Sequence, residues 1–351
     1  MASGQPAQAT IKVMSPEEIA ARAGGELQHL RLPELRSLFA ERSLRLRQLA
    51  AGHAMRDYLI FMADLAQAQQ DTLAEVPALP MPSAAQIAGA RADGRPPLPA
   101  ADWPRDPAWH ELLRAIARRL LPRAPEGARA VITQLQSADA DWLERQADCL
   151  LTGVMLGLDM AAAPIVAAAL QCYWAALVQQ TQARYGSEAQ PAFARIEDET
   201  VCPCCGSRPT ASITRQVGDV AGQRYLHCSL CASEWHMVRI QCPHCLSAKS
   251  LAYQQLQAGD GHELPATGAA IGSVQAETCD DCGHYLKIMH TERDPFVDPV
   301  ADDLASVTLD LLVSDTGMRR HGVDLMLLFG EPDDGNEGGS PPPPPDDPGR
   351  S

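Results

Sequence analysis

The chain has 351 residues, a formal net charge of −15 at pH 7 and 46% hydrophobic residues. This length allows two or three domains. No region is basic, so the positive stripe with which proteins usually bind phosphate backbones is missing, and a nucleic-acid-binding function is not expected.

The chain ends and the cysteine distribution favour a cytoplasmic protein without membrane insertion. Residues 1–12 show no charged segment leading into an apolar core, so no signal peptide is expected. The most apolar stretch, residues 161–178, is mostly alanine and contains Pro164 and Gln171, which predicts a buried helix and not a membrane span. A secreted disulfide scaffold would be short and would carry cysteines throughout, whereas this chain has 351 residues and concentrates nine of its 11 cysteines between Cys202 and Cys282. A reducing cytoplasm is therefore the expected compartment.

Residues 1–190 are predicted to form an all-α helical domain. A helix start is expected at residues 15–18, where Ser15 is a suitable cap. Helix-spaced apolar residues predict helices over residues 33–74, 108–121 and 126–184, with a break at Gly52 in the first of these ranges. The proline-rich residues 77–107 predict an irregular connection.

Residues 191–292 are predicted to form a β-rich region built from two similar units, about 200–241 and about 242–292. Strands are expected at residues 212–217, 224–227, 233–240, 251–257, 273–278 and 285–290, with a turn at residues 218–222. Residues 293–330 form a C-terminal segment with a helix at about 299–314. The acidic, proline-rich residues 331–351 are disordered by composition. The fold class is therefore α+β, a helical domain followed by a duplicated rubredoxin-like or zinc-ribbon β domain and a C-terminal helix.

Four Cys-x-x-Cys pairs lie within the β-rich region, which holds nine of the 11 cysteines. The pairs are Cys202/Cys205, Cys228/Cys231, Cys242/Cys245 and Cys279/Cys282. Two intervening residues let a tight turn aim both thiolates at one point, as a tetrahedral metal requires. Eight thiolates make two complete four-cysteine sites, and a small β-rich region would depend on such metals to fold.

The spacing leaves the ligand pairing and the metal open. In sequential pairing, the first two Cys pairs hold one metal and the last two hold the other, so that each site closes one hairpin. In a cross-braced scheme, the first pair joins the third and the second joins the fourth. Four thiolates suit zinc and also a single iron as in rubredoxin, and donor softness does not separate them. Both sites are closed, so hydrolytic metal catalysis is not expected.

The remaining cysteines and the nearby histidines are not needed as ligands. Cys204 cannot converge with its neighbour Cys205 as a Cys-x-x-Cys pair does, so we interpret it as a spare thiol near the site. Cys149 and Cys172 are interpreted as packed thiols. Because eight thiolates already fill two sites, four histidines are interpreted as surface groups or groups around the sites: His227, His236, His244 and His284.

The turns after the Cys pairs differ in one residue type. Gly206 and Gly283 follow the second cysteine of their pairs, where a left-handed backbone is needed. Ala232 and Leu246 take that place in the other two pairs, so those turns are predicted to be less favourable.

These segments resemble the formate dehydrogenase accessory protein family, FdhE. The similarity is carried by residues 202–207, 224–235, 238–239, 242–245, 277–283, 285–287, 294–295 and 300–305, and more weakly by residues 42–51, His53, 57–59 and Phe61. It covers about residues 25–310. The extra Cys204, the Gly/Ala-rich loop at 258–272 and the tail depart from the family pattern.

The resemblance implies a non-enzymatic factor that assists assembly of respiratory formate dehydrogenase, a molybdenum-containing enzyme whose catalytic subunit is exported folded. The catalytic subunit in the cytoplasm would be the partner, and a homodimer is left open. Family members are described as rubredoxin-like iron binders, so two mononuclear iron centres are favoured over zinc. A rubredoxin-like electron carrier is the main alternative, and a zinc-ribbon regulator of nucleic acid is disfavoured by the charge. No Ser/His/Asp constellation, phosphate loop or acid pair indicates an enzyme.

Arginines crowd one stretch of the first long predicted helix, at Arg36, Arg42, Arg45 and Arg47. One hypothesis is a positive patch that holds an acidic surface of the partner. The groove between the helical domain and the metal-binding region is the other expected location. The simpler interpretation of the arginines is a solvated helix face.

Overall fold

The structure, a computed structural model, describes residues 28–187, 191–217, 220–256 and 272–328. The helix start predicted at residues 15–18, the loop residues 258–271 and the tail at 331–351 lie outside the described residues.

Among the described residues, a short strand and seven α-helices come before residue 209 in the chain. They are β1 (Leu30–Arg31), α1 (Leu38–Leu49), α2 (Arg56–Leu73), α3 (Ala84–Ala92), α4 (Ala108–Leu120), α5 (Glu126–Leu135), α6 (Ala140–Thr152) and α7 (Ala163–Tyr185). The predicted break at Gly52 is confirmed, and this residue adopts a φ of 75° that suits glycine. The interpretation of residues 77–107 as wholly irregular is wrong. Ser83 and Gln86 form a reciprocal capping box that starts α3.

Helix α7 lies at the centre of the main hydrophobic core. It is buried around most of its circumference and contacts α2, α4 and α6. This confirms the prediction of a buried helix, and none of the described helices is both long and apolar enough to cross a bilayer. Its buried Gln171 accepts a hydrogen bond from Gln69 at 3.1 Å and donates one to the Ser229 carbonyl at 2.8 Å. These bonds satisfy the buried amides and tie the helices to the cysteine-rich region.

The remaining strands are β2 (Pro209–Val217), β3 (Val220–Cys228), β4 (Glu234–His236), β5 (Leu251–Gln254), β6 (Val274–Cys279), β7 (His284–His290) and β8 (Arg319–Arg320). Strands β2, β3 and β4 form an antiparallel unit, and β5, β6 and β7 form a second one. The predicted repeat is therefore confirmed. The third predicted strand, at 233–240, is shorter than expected, and β3 begins within the predicted turn.

The two units join into one sheet through a parallel pairing of β2 with β7, in which Ile213 lies opposite Met289. The strand order is β1-β4-β3-β2-β7-β6-β5, and β8 pairs with β7. At one edge β1 adds to β4, with Leu30 opposite Trp235. The main core includes side chains from the helices and from the first unit, among them Leu226 and Trp235.

The predicted C-terminal helix is present as two helices, α8 (Ala301–Ala305) and α9 (Val307–Ser314). Buried ion pairs join the C-terminal segment, residues 293–328, to α1. Arg45 donates to Asp302 at 2.6 and 2.9 Å and to Asp294 at 2.8 Å, and its side chain is 4% exposed. A charge in this environment is retained only because it is paired.

For Arg42 and Arg45, these ion pairs show that both interpretations made from the sequence, a positive patch for a partner and a solvated helix face, are wrong. Arg42 is 3% exposed and lies 3.1 Å from Asp298, so neither Arg42 nor Arg45 forms a patch for a partner or a solvated face. Both form buried ion pairs that join α1 to the C-terminal segment. Only Arg36 and the partly exposed Arg47, which pairs with Asp64 at 2.7 Å, reach solvent.

Candidate metal centres

The first group of cysteines, which we call centre 1, consists of Cys202, Cys205, Cys228 and Cys231. Their Sγ atoms lie 3.6 Å apart for Cys202 and Cys231, and 3.4 Å apart for Cys205 and Cys228. A tetrahedral ion with metal–sulfur bonds of about 2.3 Å needs sulfurs about 3.8 Å apart. The donor set therefore fits a metal ion.

Centre 1 is buried, with each of its four cysteines at most 1% exposed. The proline-rich connection covers it, because Leu98 and Ala100 donate backbone hydrogen bonds to the carbonyls of Cys204 and Cys205 at 3.1 and 2.8 Å. Burial raises the pKa of the Cys202 and Cys228 thiols well above the ordinary value. A bound cation reverses this effect, because coordinated thiols are deprotonated.

The second group, centre 2, consists of Cys242, Cys245, Cys279 and Cys282. Its sulfurs lie 3.8 Å apart for Cys242 and Cys282, and also for Cys245 and Cys279, which again fits a tetrahedral ion. Centre 2 differs from centre 1 in burial, since Cys245 is exposed and Cys282 is half-buried. The chain thus presents one enclosed centre and one at the surface.

The sulfurs are grouped sequentially, as the simpler of the two schemes predicts, and the cross-braced scheme is wrong. Each group joins one Cys pair ahead of a hairpin to the pair that follows the hairpin. Cys204 belongs to neither group but is buried beside centre 1. Cys172 is a packed thiol as predicted, whereas Cys149 is half-buried.

The turns place backbone N–H groups near the sulfurs. The amides of Leu230 and Cys231 lie 3.4 Å from Cys228 Sγ, and the amide of His244 lies 3.4 Å from Cys242 Sγ. Such donors stabilise thiolate charge.

Left-handed residues close the four turns. Gly206 and Gly283 have φ of 75° and 68°, and Ala232 and Leu246 adopt 57° and 60° in spite of their Cβ atoms. The prediction that these last two turns are less favourable agrees with this backbone, because a Cβ costs about 1 kcal/mol or more in the left-handed region.

The four histidines are not equivalent. His227 is buried and lies 3.6 Å from Glu234, so it is not a surface group. Burial acts to raise the pKa of Glu234, but Arg215 and His227 outweigh it and lower the pKa to about 2. His236 is half-buried in β4.

His244 and His284 lie against centre 2, and their ring centroids are 3.8 Å apart. A further histidine, His321, was not predicted from the sequence; it is 5% exposed, and its ring lies 5.1 Å from that of His244. It arrives through the pairing of β8 with β7, and no local sequence pattern marks it.

Comparisons with known proteins agree with this architecture. Family models described as FdhE N-terminal, FdhE central domain and FdhE C-terminal domain match residues 27–189, 201–239 and 240–327. A protein FdhE homolog of Edwardsiella ictaluri is 39% identical over 330 residues, covering 92% of this chain and all of the relative. The protein FdhE of Escherichia coli O9:H4 is 36% identical over 329 residues, covering 92% of this chain and 99% of the relative.

A solved structure shares the fold. The crystal structure of the FdhE protein from Pseudomonas aeruginosa superposes with a TM-score of 0.72 at 38% identity, covering 86% of this chain and all of that chain. Helices followed by a sheet with two four-cysteine groups define a class of protein with two sites that could hold metal ions. Within that class, the chain belongs to the FdhE family.

Proposed function

We propose that this protein is a metal-binding maturation factor for respiratory formate dehydrogenase, which acts on the catalytic subunit in the cytoplasm before export. The observation that carries the proposal is the pair of four-cysteine centres, one enclosed and one at the surface, in a chain of the FdhE family. A maturation factor needs a stable scaffold and a surface that meets its client, and we assign the first role to centre 1 and the second to centre 2.

The proposed ligands are all eight cysteines of centres 1 and 2. Each centre would hold one mononuclear ion, with iron favoured over zinc because of the family resemblance. In centre 1 the ion would hold the two Cys pairs of the first unit together inside the core that this unit shares with the helices, since structural metal binding is coupled to folding. Four thiolates leave no coordination position for a substrate, which supports a binding role over an enzymatic one.

A complementation experiment tests this function. Deletion of the gene is expected to abolish formate dehydrogenase activity while transcripts of the enzyme are retained, and the wild-type gene is expected to restore it. Cys205→Ser and Cys245→Ser each remove one ligand, from centre 1 and from centre 2, and are expected to fail in rescue. Cys149→Ser makes the same chemical change outside both centres and serves as the matched control.

A direct binding measurement accompanies the rescue. The purified full-length protein is expected to capture the catalytic subunit from cytoplasmic extract, and an unrelated exported enzyme serves as the negative client. Normal formate dehydrogenase activity in the deletion strain would contradict the proposal, as would rescue without measurable capture.

The exposure of Cys245 favours one second candidate, a rubredoxin-type electron carrier. Electron transfer requires a metal centre close to the protein surface, and centre 2 meets this requirement whereas centre 1 does not. Zinc is redox-inert, so the two functions separate when protein loaded with zinc is compared with protein loaded with iron. Equal support of maturation by both forms favours the maturation factor, and support by iron alone favours the electron carrier.

A further inference from the structure

Centre 2 has a neighbouring set of nitrogen donors, and among the described residues no such set lies at centre 1. His244, His284 and Cys282 offer ligand atoms that all lie within 4.8 Å of one another. Cys282 is also a member of the four-cysteine group, so one sulfur is shared between the two sets. At centre 1 the adjacent histidine, His227, is buried against Glu234.

The hydrogen bonding of His284 prepares it as a ligand. Its Nδ1 lies 2.9 Å from the Cys282 carbonyl oxygen, so Nδ1 carries the proton that is donated to this acceptor and Nε2 carries the lone pair. Metal-binding histidines commonly donate their other ring N–H to a backbone carbonyl in this way, which fixes the tautomer.

A third histidine stands next to this set. His321 is 5% exposed, and its Nε2 has no hydrogen-bond partner among the described residues. A buried nitrogen without a partner is unfavourable in a folded protein and points to a group that the protein atoms do not supply. With an edge-on ring 5.1 Å from that of His244, His321 is the nearest candidate for a fourth ligand.

Charge also favours a second cation at this place. One divalent ion bound by four thiolates leaves a net charge of about −2, and at centre 2 this charge is exposed. A second divalent ion held by the shared Cys282 and by neutral imidazoles would cancel it without a further thiolate. The rings of His244 and His284 are stacked with planes 15° apart, so their lone pairs lie in nearly parallel planes, and bonds of about 2.0 Å from one ion to both nitrogens require one ring to turn. His244 is exposed and has room for this rotation, whereas His284 is half-buried and held by the Cys282 carbonyl.

We infer that His244, His284 and Cys282 form a third metal site for a divalent late transition ion, with Cys282 bridging to the ion of centre 2. The site has a weaker and more exchangeable ligand set than the two four-cysteine centres. This inference depends on the proposed function only because centre 2 must hold its own metal ion. The chain would therefore take up two ions tightly and a third one loosely, and the third would lie at the exposed centre.

The test uses full-length protein loaded with two Zn²⁺ and then titrated with Co²⁺. Co²⁺ binds such donors less tightly than Zn²⁺, so cobalt reports a vacant site and does not displace zinc. One additional Co²⁺ per chain is expected, with the absorption bands of thiolate-to-cobalt charge transfer. The double variant His244→Gln/His284→Gln is expected to keep two Zn²⁺ and to lose this Co²⁺, whereas the control His236→Gln is expected to bind it as the wild type does.

Two outcomes would overturn the inference. One is wild-type protein that takes up no Co²⁺ with thiolate absorption, and the other is a double variant that takes up the same Co²⁺. Fewer than two Zn²⁺ in the loading step would instead contradict the centres themselves. Independently of any variant, the imidazole ¹⁵N resonances of His244 and His284 in wild-type protein are expected to shift with the third equivalent of Zn²⁺, and unchanged resonances would also refute the site.

Discussion

Cys205→Ser and Cys245→Ser change the same position of the first turn in the two centres, and their effects should differ greatly. Cys205 is fully buried in the main core, whereas Cys245 is exposed and lies outside that core. A structural four-cysteine site contributes an apparent binding free energy of about 10–16 kcal/mol. The total stability of a domain is about 5–15 kcal/mol, so loss of centre 1 cannot be absorbed.

We therefore expect Cys205→Ser to reduce the free energy of unfolding by about 5 kcal/mol or more, because the three remaining thiols are enclosed and the first unit shares its core with the helices. Cys245→Ser should lower the free energy of global unfolding by only about 1–3 kcal/mol, because centre 2 lies outside the main core and the loss of its ion should open the second unit alone. Hydrogen exchange followed by mass spectrometry, combined with urea denaturation, measures both effects. Loss of protection is expected across β2, β3 and α7 for the first variant and in β5 and β6 for the second. Equal destabilisation by the two variants, or global unfolding caused by Cys245→Ser, would refute this reasoning.

Four further substitutions test packing and charge. Arg45→Gln leaves the buried Asp302 without its guanidinium and should cost about 3–5 kcal/mol in urea denaturation at pH 8. Burial raises the pKa of Asp302 to about 6, above the value of an unfolded chain, so protonation of Asp302 favours the folded state as the pH falls through 6. The loss of stability caused by Arg45→Gln should therefore be smaller at pH 6 than at pH 8. An equal loss at both pH values would contradict the role of Arg45 as the partner of a buried carboxylate. Ala232→Gly relieves a left-handed alanine and should raise the free energy of unfolding by about 1 kcal/mol, whereas Gly206→Ala, as the matched opposite change, should lower it by a similar amount. Gly322→Ala would place a Cβ in steric conflict with the Thr210 carbonyl oxygen, so thermal denaturation should show a loss of about 1–3 kcal/mol, and an unchanged melting temperature would argue against that contact.

Features that depend on near neighbours could be predicted from the sequence. The Cys-x-x-Cys spacing identified the eight cysteines that the structure brings together, because two residues between thiols fix a local turn. The recurring order of Cys pair, hairpin, Cys pair and strand placed the strands of both units. The break at Gly52 and the buried α7 followed from composition and periodicity.

Features that depend on distant pairings could not be predicted in this way. The sign and spacing of Arg42 and Arg45 are those of an exposed helix face, and only their acidic partners, about 250 residues further along the chain, bury them. His321 is placed beside His244 by β8, a strand of two residues that has no periodicity of its own. The parallel pairing of β2 with β7, which makes one sheet of two units, likewise arises from tertiary packing.

The helix α3 was missed for a different reason. Its flanking prolines dominate the composition of residues 77–107, whereas the cap formed by Ser83 and Gln86 is a signal of only two residues. A search for capping boxes inside proline-rich segments would have located it.

The central claim is that eight cysteines hold two metal ions, each bound by four sulfurs. X-ray absorption at the metal edge, on full-length protein from which loosely bound ions have been removed, tests it most directly. We expect two ions per chain and a first coordination sphere of four sulfurs at about 2.3 Å, with no nitrogen or oxygen neighbours. One ion per chain, or a first sphere with fewer than four sulfurs per ion, would contradict it.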